Sequence, residues 1–303
     1  MSIDQKFNIH IPDVIAHRGF SAENPENTLI SFENAIKAGT TALEGADIRL
    51  SKDNEIVMMH DTTLNRTTTG LGQVREHDWY GDIDQLLTKA EPRQPIPRLN
   101  DVLDLITQPY VKKDLYMIID IKYDNPIEIL DVLQKLLSSY THNHPDLSDR
   151  LIIGIWNVEF MKKAKELFPH HKLCFIGISL PAARTHFLDT VDCLSLPFAA
   201  LADQDGQSFI KEAHMKNKKV FTWTINDPLQ MKTCVLWQVD GVIGDSVPNL
   251  LKYVQEQPKS LNNPEEYQSF VDSDTYLQSK RTRIYLYLLK KAMFIASWKF
   301  IGL

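Results

Sequence analysis

The sequence predicts a (β/α)8 barrel followed by a C-terminal amphipathic helix. Eight short apolar runs, at 14–16, 43–49, 117–121, 151–155, 172–176, 192–196, 219–224 and 241–244, read as strands. Stretches with helical periodicity separate most of them, which is the pattern of a closed parallel sheet. A chain of 303 residues holds one such barrel with appendages, since barrels take ~250 residues.

Residues 14–16 form the first strand. Pro25-Glu26-Asn27-Thr28 opens a helix, with Asn27 or Thr28 as its cap, and Leu29, Phe32, Ala35 and Ile36 give it an apolar face. Gly39 ends it. Residues 42–50 form the second strand; Lys52-Asp53-Asn54-Glu55 turns the chain, and Ile56 to Met59 returns as a hairpin partner outside the count of eight. The polar stretch 62–95 is an excursion on the rim, where Trp79 and Tyr80 either touch substrate or plug the side of the barrel. Ile96-Pro97-Arg98-Leu99 starts a helix that runs through Ile106. Strand and helix then alternate, with helices expected at 126–138, 158–167, 203–216, 227–237 and 246–255. This divides the chain into a barrel over 1–255, a polar linker over 256–279 rich in Gln, Pro, Asn, Glu and Ser, and a basic, apolar tail over 280–303.

An apolar fraction of 43% supplies a core, and a net charge of −6 argues against general nucleic-acid binding. Cys174, Cys193 and Cys234 lie in or near apolar runs and fit no C-x-x-C spacing, which reads as buried free thiols in a reducing compartment. Met1 to Asn8 is polar and lacks the apolar run of a secretory signal, so the expected location is intracellular.

Ionisable residues cluster where the early strands end. They are His17-Arg18-Gly19, Glu44-Gly45-Ala46-Asp47, His60-Asp61 and Asp120-Ile121-Lys122. Two histidines, three carboxylates and two cations on one rim suit metal-assisted cleavage of a phosphate ester. The same segments, with Pro25-Glu26-Asn27-Thr28, Ser51-Lys52-Asp53, Arg66, Ile96-Pro97-Arg98-Leu99, the run Val220 to Asn226 and Gly241-Val242-Ile243-Gly244-Asp245, resemble the glycerophosphodiester phosphodiesterase family in its order, over roughly 12–255. The resemblance implies a TIM-type barrel with its site at the C-terminal rim. It implies His17 and His60 as the acid/base pair, Glu44, Asp47 and Asp120 as metal ligands, and Arg18 and Lys122 against the phosphate. All-oxygen ligation favours Mg²⁺ or Ca²⁺. Trp223 matches the family's aromatic at that place, as pocket wall or as plain core.

Three positions depart from the family. Its usual Glu-x-Asp puts both carboxylates on one strand face, whereas Glu44 and Asp47 are three apart. A bulge at Gly45-Ala46 would restore the pairing. Asp120 stands where Glu is commoner, and Gly244 where Thr is usual.

The barrel, linker and basic tail together look most like fungal phosphatidylglycerol-specific phospholipase C, which implies cleavage of phosphatidylglycerol to diacylglycerol and glycerol phosphate. Hydrolysis of soluble glycerophosphodiesters to glycerol 3-phosphate and an alcohol is the alternative, and a non-catalytic lipid head-group binder a third. In either reaction a free glycerol hydroxyl would attack phosphorus, and water would then open the cyclic phosphate. In the tail, Lys280, Arg283, Tyr287, Lys290 and Lys291 share one helical arc, while Ile284, Leu288, Leu289 and Ile295 lie off it. That predicts a helix lying on a membrane surface, basic side to the head groups, with docking on the barrel as the other reading. The expected setting is therefore peripheral or tail-anchored, on the cytoplasmic face of an organelle membrane.

Overall fold

The computed structural model describes residues 7–258, 260–261, 265–266, 268–269, 276–277 and 279–297. Eight parallel strands close into a barrel: β1 (Asp13–His17), β2 (Ala42–Leu50), β3 (Tyr116–Ile121), β4 (Leu151–Ile155), β5 (Lys172–Ile176), β6 (Cys193–Pro197), β7 (Lys219–Trp223) and β8 (Gly241–Gly244). Each strand pairs with its neighbours in chain order, and β8–β1 and β1–β2 complete the ring. The hairpin strand Ile56–Met58 pairs antiparallel with β2 and stands outside the ring.

Helices lie between the strands because their apolar faces need the sheet's outer surface. They are α1 (Leu29–Ala38), α2 (Leu99–Ile106), α3 (Ile129–Asn143), α4 (Val158–Leu167), α5 (Gln204–Met215), α6 (Pro228–Trp237) and α7 (Val247–Gln255). Thr28 caps α1 by accepting from the Ser31 N–H, and Gly39 closes it in the left-handed region at φ 96°. Phe32, Leu99, Leu133, Phe160, Phe209 and Leu250 fill the layer between helices and sheet. The opposite strand parity packs the interior with Ile15, Ile118, Ile152, Cys174, Cys193, Phe221 and Ile243. All three cysteines are free and buried.

Within the rim excursion, Trp79 is buried in a separate cluster with Val57, Met59 and Ile83, built from the hairpin strand and the excursion itself. Tyr80 is exposed, and its hydroxyl accepts from Arg98 Nη1 at 2.9 Å. His214 pairs through Nε2 with Asp240 Oδ2 at 2.9 Å.

Half of the expected linker lies outside the described residues. Of it, Ser260–Leu261 pairs antiparallel with Phe7–Asn8, and the Tyr276 N–H donates to Thr233 Oγ1 at 3.2 Å. The tail forms α8 (Lys280–Ser297), and this helix docks on the barrel. Leu286 is buried, Leu289 and Met293 pack against the core, and Lys290 Nζ lies 2.7 and 2.8 Å from the two Asp203 carboxylate oxygens. That corrects the expected basic arc, because Lys290 is spent on the barrel instead of facing outward. No helix among the described residues is long and apolar enough to cross a membrane.

Candidate active site

The chemistry gathers at the C-terminal ends of β1, β2 and β3. Glu44, Asp47 and Asp120 are all buried there. The bulge that the spacing calls for is present: Glu44 lies opposite Ile118, Ala46 opposite Ile119 and Asp47 opposite Asp120. Gly45 supplies it with a left-handed backbone at φ 75°. A Cβ on Gly45 would come within 2.8 Å of Arg18 Cγ and 2.9 Å of Arg18 N, so the bulge and the loop after β1 fit only around a glycine. Arg18 is itself left-handed, at φ 57°. Its N–H donates to Glu44 O at 2.7 Å, and its carbonyl accepts from the Asn27 N–H and the Ser31 hydroxyl. Such a backbone costs ~1–3 kcal/mol and persists where the surroundings fix it.

Each histidine is held through Nδ1 by a carboxylate. His17 Nδ1 lies 2.7 Å from Asp245 Oδ1, and His60 Nδ1 lies 2.8 Å from Asp61 Oδ1. Asn226 Nδ2 donates to Asp245 Oδ2 at 2.6 Å, and the Asp245 N–H donates back to Asn226 Oδ1 at 2.9 Å. Arg66 grips both oxygens of Asp61 and both of Glu26, and Glu26 in turn accepts from Arg18 Nη1 at 3.0 Å.

These surroundings separate the two histidines. Burial opposes charging His17, but the Asp245 hydrogen bond and the nearby Glu44 carboxylate outweigh it and raise its pKa. Burial lowers that of His60, and Lys122 and Arg18 reinforce it against the pull of Asp47 and Asp61. The shifts favour the protonated form of His17 and the neutral form of His60, which casts His17 as the acid and His60 as the base.

The carboxylates do not fit a divalent ion. Lys122 Nζ sits between Asp47 Oδ1 at 2.7 Å and Asp120 Oδ2 at 2.6 Å. Asn27 Nδ2 donates to Asp47 Oδ2 at 2.7 Å, and Trp156 Nε1 to Asp120 Oδ1 at 2.7 Å. All four aspartate oxygens therefore already take an N–H donor, and the Lys122 ammonium stands between the two carboxylates. Burial, with Asp120 and Asp47 adding to it, pushes Glu44 up to about 7, and its Oε2 has no hydrogen-bond partner. Among the described residues no group of three His, Cys, Asp or Glu is arranged to hold a metal. The expected Mg²⁺ or Ca²⁺ site is thereby corrected: Lys122 and Arg18 supply the countercharge at Asp47. Burial would raise the Asp47 carboxyl, but Lys122 and Arg18 hold it well below the usual carboxylate range.

Every site residue expected from the sequence except Trp223 takes part in this cluster. Trp223 packs partly buried against the barrel interior, with its buried Nε1 unbonded. Residues without an assigned role belong to it as well. Asp61, Arg66, Glu26, Asn226 and Asp245 all stood in the quoted motifs, whereas Trp156 was missed. Its signal is position: it lies two residues beyond Gly154 on the inward parity of β4, and its ring stands 5.5 Å from Lys122 Nζ.

The model of the Glycerophosphoryl diester phosphodiesterase family matches residues 17–248. A glycerophosphodiester phosphodiesterase of Bacillus altitudinis is 26% identical over 247 residues, covering 80% of this chain and 98% of its own. One from Caldanaerobacter subterraneus subsp. tengcongensis is 28% identical over 250 residues, covering 80% and 98%. Among solved structures, a Silicibacter pomeroyi protein described as a putative glycerophosphoryl diester phosphodiesterase superposes with a TM-score of 0.70 at 20% identity, over 82% of this chain and 94% of that one. An Oleispira antarctica phosphodiesterase, solved with the product sn-glycerol-3-phosphate, gives 0.68 at 24% identity, over 81% and 98%. The likeness to these two structures is one of fold.

The chain belongs to the glycerophosphoryl diester phosphodiesterase family and is a phosphoric diester hydrolase. The expected kinship with fungal phosphatidylglycerol-specific phospholipase C is corrected, because the two relatives named above, which match across the barrel, are bacterial glycerophosphodiester phosphodiesterases. With it falls the phospholipase C reading, cleavage of phosphatidylglycerol to diacylglycerol.

Proposed function

We propose, from that membership and from the two oriented histidines, that the protein hydrolyses soluble glycerophosphodiesters to glycerol 3-phosphate and an alcohol. The observation that carries this is the pair His17–Asp245 and His60–Asp61 flanking Arg18 and Lys122. A phosphodiester repels nucleophiles through its anionic oxygens, and Arg18 and Lys122 offset that charge. His60 takes the proton from the neighbouring glycerol hydroxyl as it attacks phosphorus. The bond to the alcohol oxygen breaks, and His17 delivers a proton to it. Water then opens the cyclic phosphate with the two histidines exchanging roles. The test is the purified protein with glycerophosphoethanolamine. Release of glycerol 3-phosphate that disappears in His17→Ala is expected; no release by the intact protein would sink the reading.

A second reading concerns α8. We infer that the protein rests on an anionic membrane surface inside the cell through this helix, without spanning. Ile284, Leu288 and Ile295 are exposed on the face opposite the docked one, Lys280 and Arg281 beside them are exposed too, and the helix has no acidic residue. Sedimentation with anionic vesicles tests it. Loss of binding on deleting 280–303 is expected, and full pelleting of the truncated protein overturns it.

A further inference from the structure

A cavity of about 450 Å³ opens beside His17 and Arg18, and its walls are polar. Ser21, Asn226, Ser246 and Asn249 line it with hydroxyls and carboxamides. Its two acids already have partners, Glu26 in Arg18 and Arg66, and Asp245 in His17 and Asn226. Among the described residues no Phe, Tyr or Trp lines it; Trp156 and Tyr123 pack together beside Lys122. The Ser246 hydroxyl makes no capping hydrogen bond to α7, and Asn249, three residues on, shares its helix face and is exposed.

We propose that this cavity receives the leaving alcohol and selects a polyol head group, of the glycerol or inositol kind, over a quaternary ammonium. The inference rests on the phosphodiesterase reading above, because it places the departing oxygen next to His17. The recognition chemistry decides the class. Quaternary ammonium groups are held by aromatic faces, which this cavity lacks. Hydroxyl groups are held by amide and hydroxyl partners, and a site built to pair them rejects an analogue that leaves those partners unpaired.

Initial rates of the full chain on glycerophosphoglycerol, glycerophosphoinositol and glycerophosphocholine provide the test. The polyol diesters are expected to exceed the choline diester at least ~10-fold in kcat/KM. Replacing Ser246→Ala together with Asn249→Ala is expected to bring the ratio close to one, with the melting temperature as a control for folding. Asn249→Tyr, which supplies the missing ring, should move the ratio the same way without touching the helix cap. Equal or faster hydrolysis of the choline diester by the intact protein overturns the selection while leaving the phosphodiesterase reading standing. Failure of all three substrates overturns both. A ratio unmoved in both variants assigns selection elsewhere and removes Ser246 and Asn249 from it.

Discussion

Asp245 Oδ1 stands 2.7 Å from His17 Nδ1 although 228 residues separate them in the chain, because β8 and β1 are neighbours where the barrel closes. An ionised carboxylate only accepts, so the contact fixes the proton on Nδ1 and leaves Nε2 for the reaction. Burial would raise the Asp245 carboxyl, but His17, Asn226 and Ser21 outweigh it and hold it low.

Asp245→Asn therefore removes the fixed tautomer while preserving shape. Its kcat should fall at least ~10-fold with KM and melting temperature nearly unchanged. Nitrogen-15 spectra of the imidazole give an independent reading: the tautomer should shift in the variant, and an unaltered tautomer would speak against this role for Asp245.

His17→Ala and His60→Ala should each lower turnover by at least ~10²-fold with folding intact. The two should differ in acid. Added imidazolium is expected to restore His17→Ala better than His60→Ala, and equal rescue would remove the division of roles.

Gly45→Ala places a methyl group against Arg18 and a β-carbon on a left-handed backbone. A loss of ~1–3 kcal/mol in denaturant unfolding is expected, with a larger proportional fall in activity because Arg18 must move. Unfolding unchanged from the parent would show that the bulge relaxes without cost.

Glu44 gives a stability prediction with a definite sign. Burial raises its folded pKa from 4.5 to about 7, so between those values the native state binds more protons than the unfolded chain. Stability then falls as pH rises through that window. Glu44→Gln should remove this slope, and denaturant midpoints at pH 5 and pH 8 should converge. Asp47 acts in the opposite sense: its lowered pKa stabilises above the unfolded value, and that contribution is lost as pH drops below about 3.8. If Glu44→Gln keeps the full slope between pH 5 and pH 8, another group is titrating.

The eight strands could be read from the sequence because burial on both faces writes continuous apolar runs. The carboxylates and histidines could be read too, since His17, His60 and Asp120 stand at the ends of such runs and Glu44 and Asp47 interrupt one. What they do to one another was harder to see. Asp120 and Lys122 are two apart and so share a strand face, which puts an ammonium among the acids; reading them as one metal ligand and one phosphate ligand overlooked that pairing. The docking of α8 was hidden for a different reason. Leu286 is buried by residues nearly ninety positions earlier, around Phe198–Leu201, and helical periodicity alone does not reveal which stripe finds a partner.

The bulge in β2 also changes how insertions in this barrel should be weighed. Nine residues there span the ladder positions of eight, with Gly45 standing out of register. Deleting Gly45 would return the strand to an even pleat with Glu44 and Asp47 still on one face, whereas replacing it keeps the count and loses the geometry. At this position a frame-preserving deletion is the mild lesion and a point substitution the severe one. Alignments that penalise the gap more than the mismatch will rank the two in the wrong order.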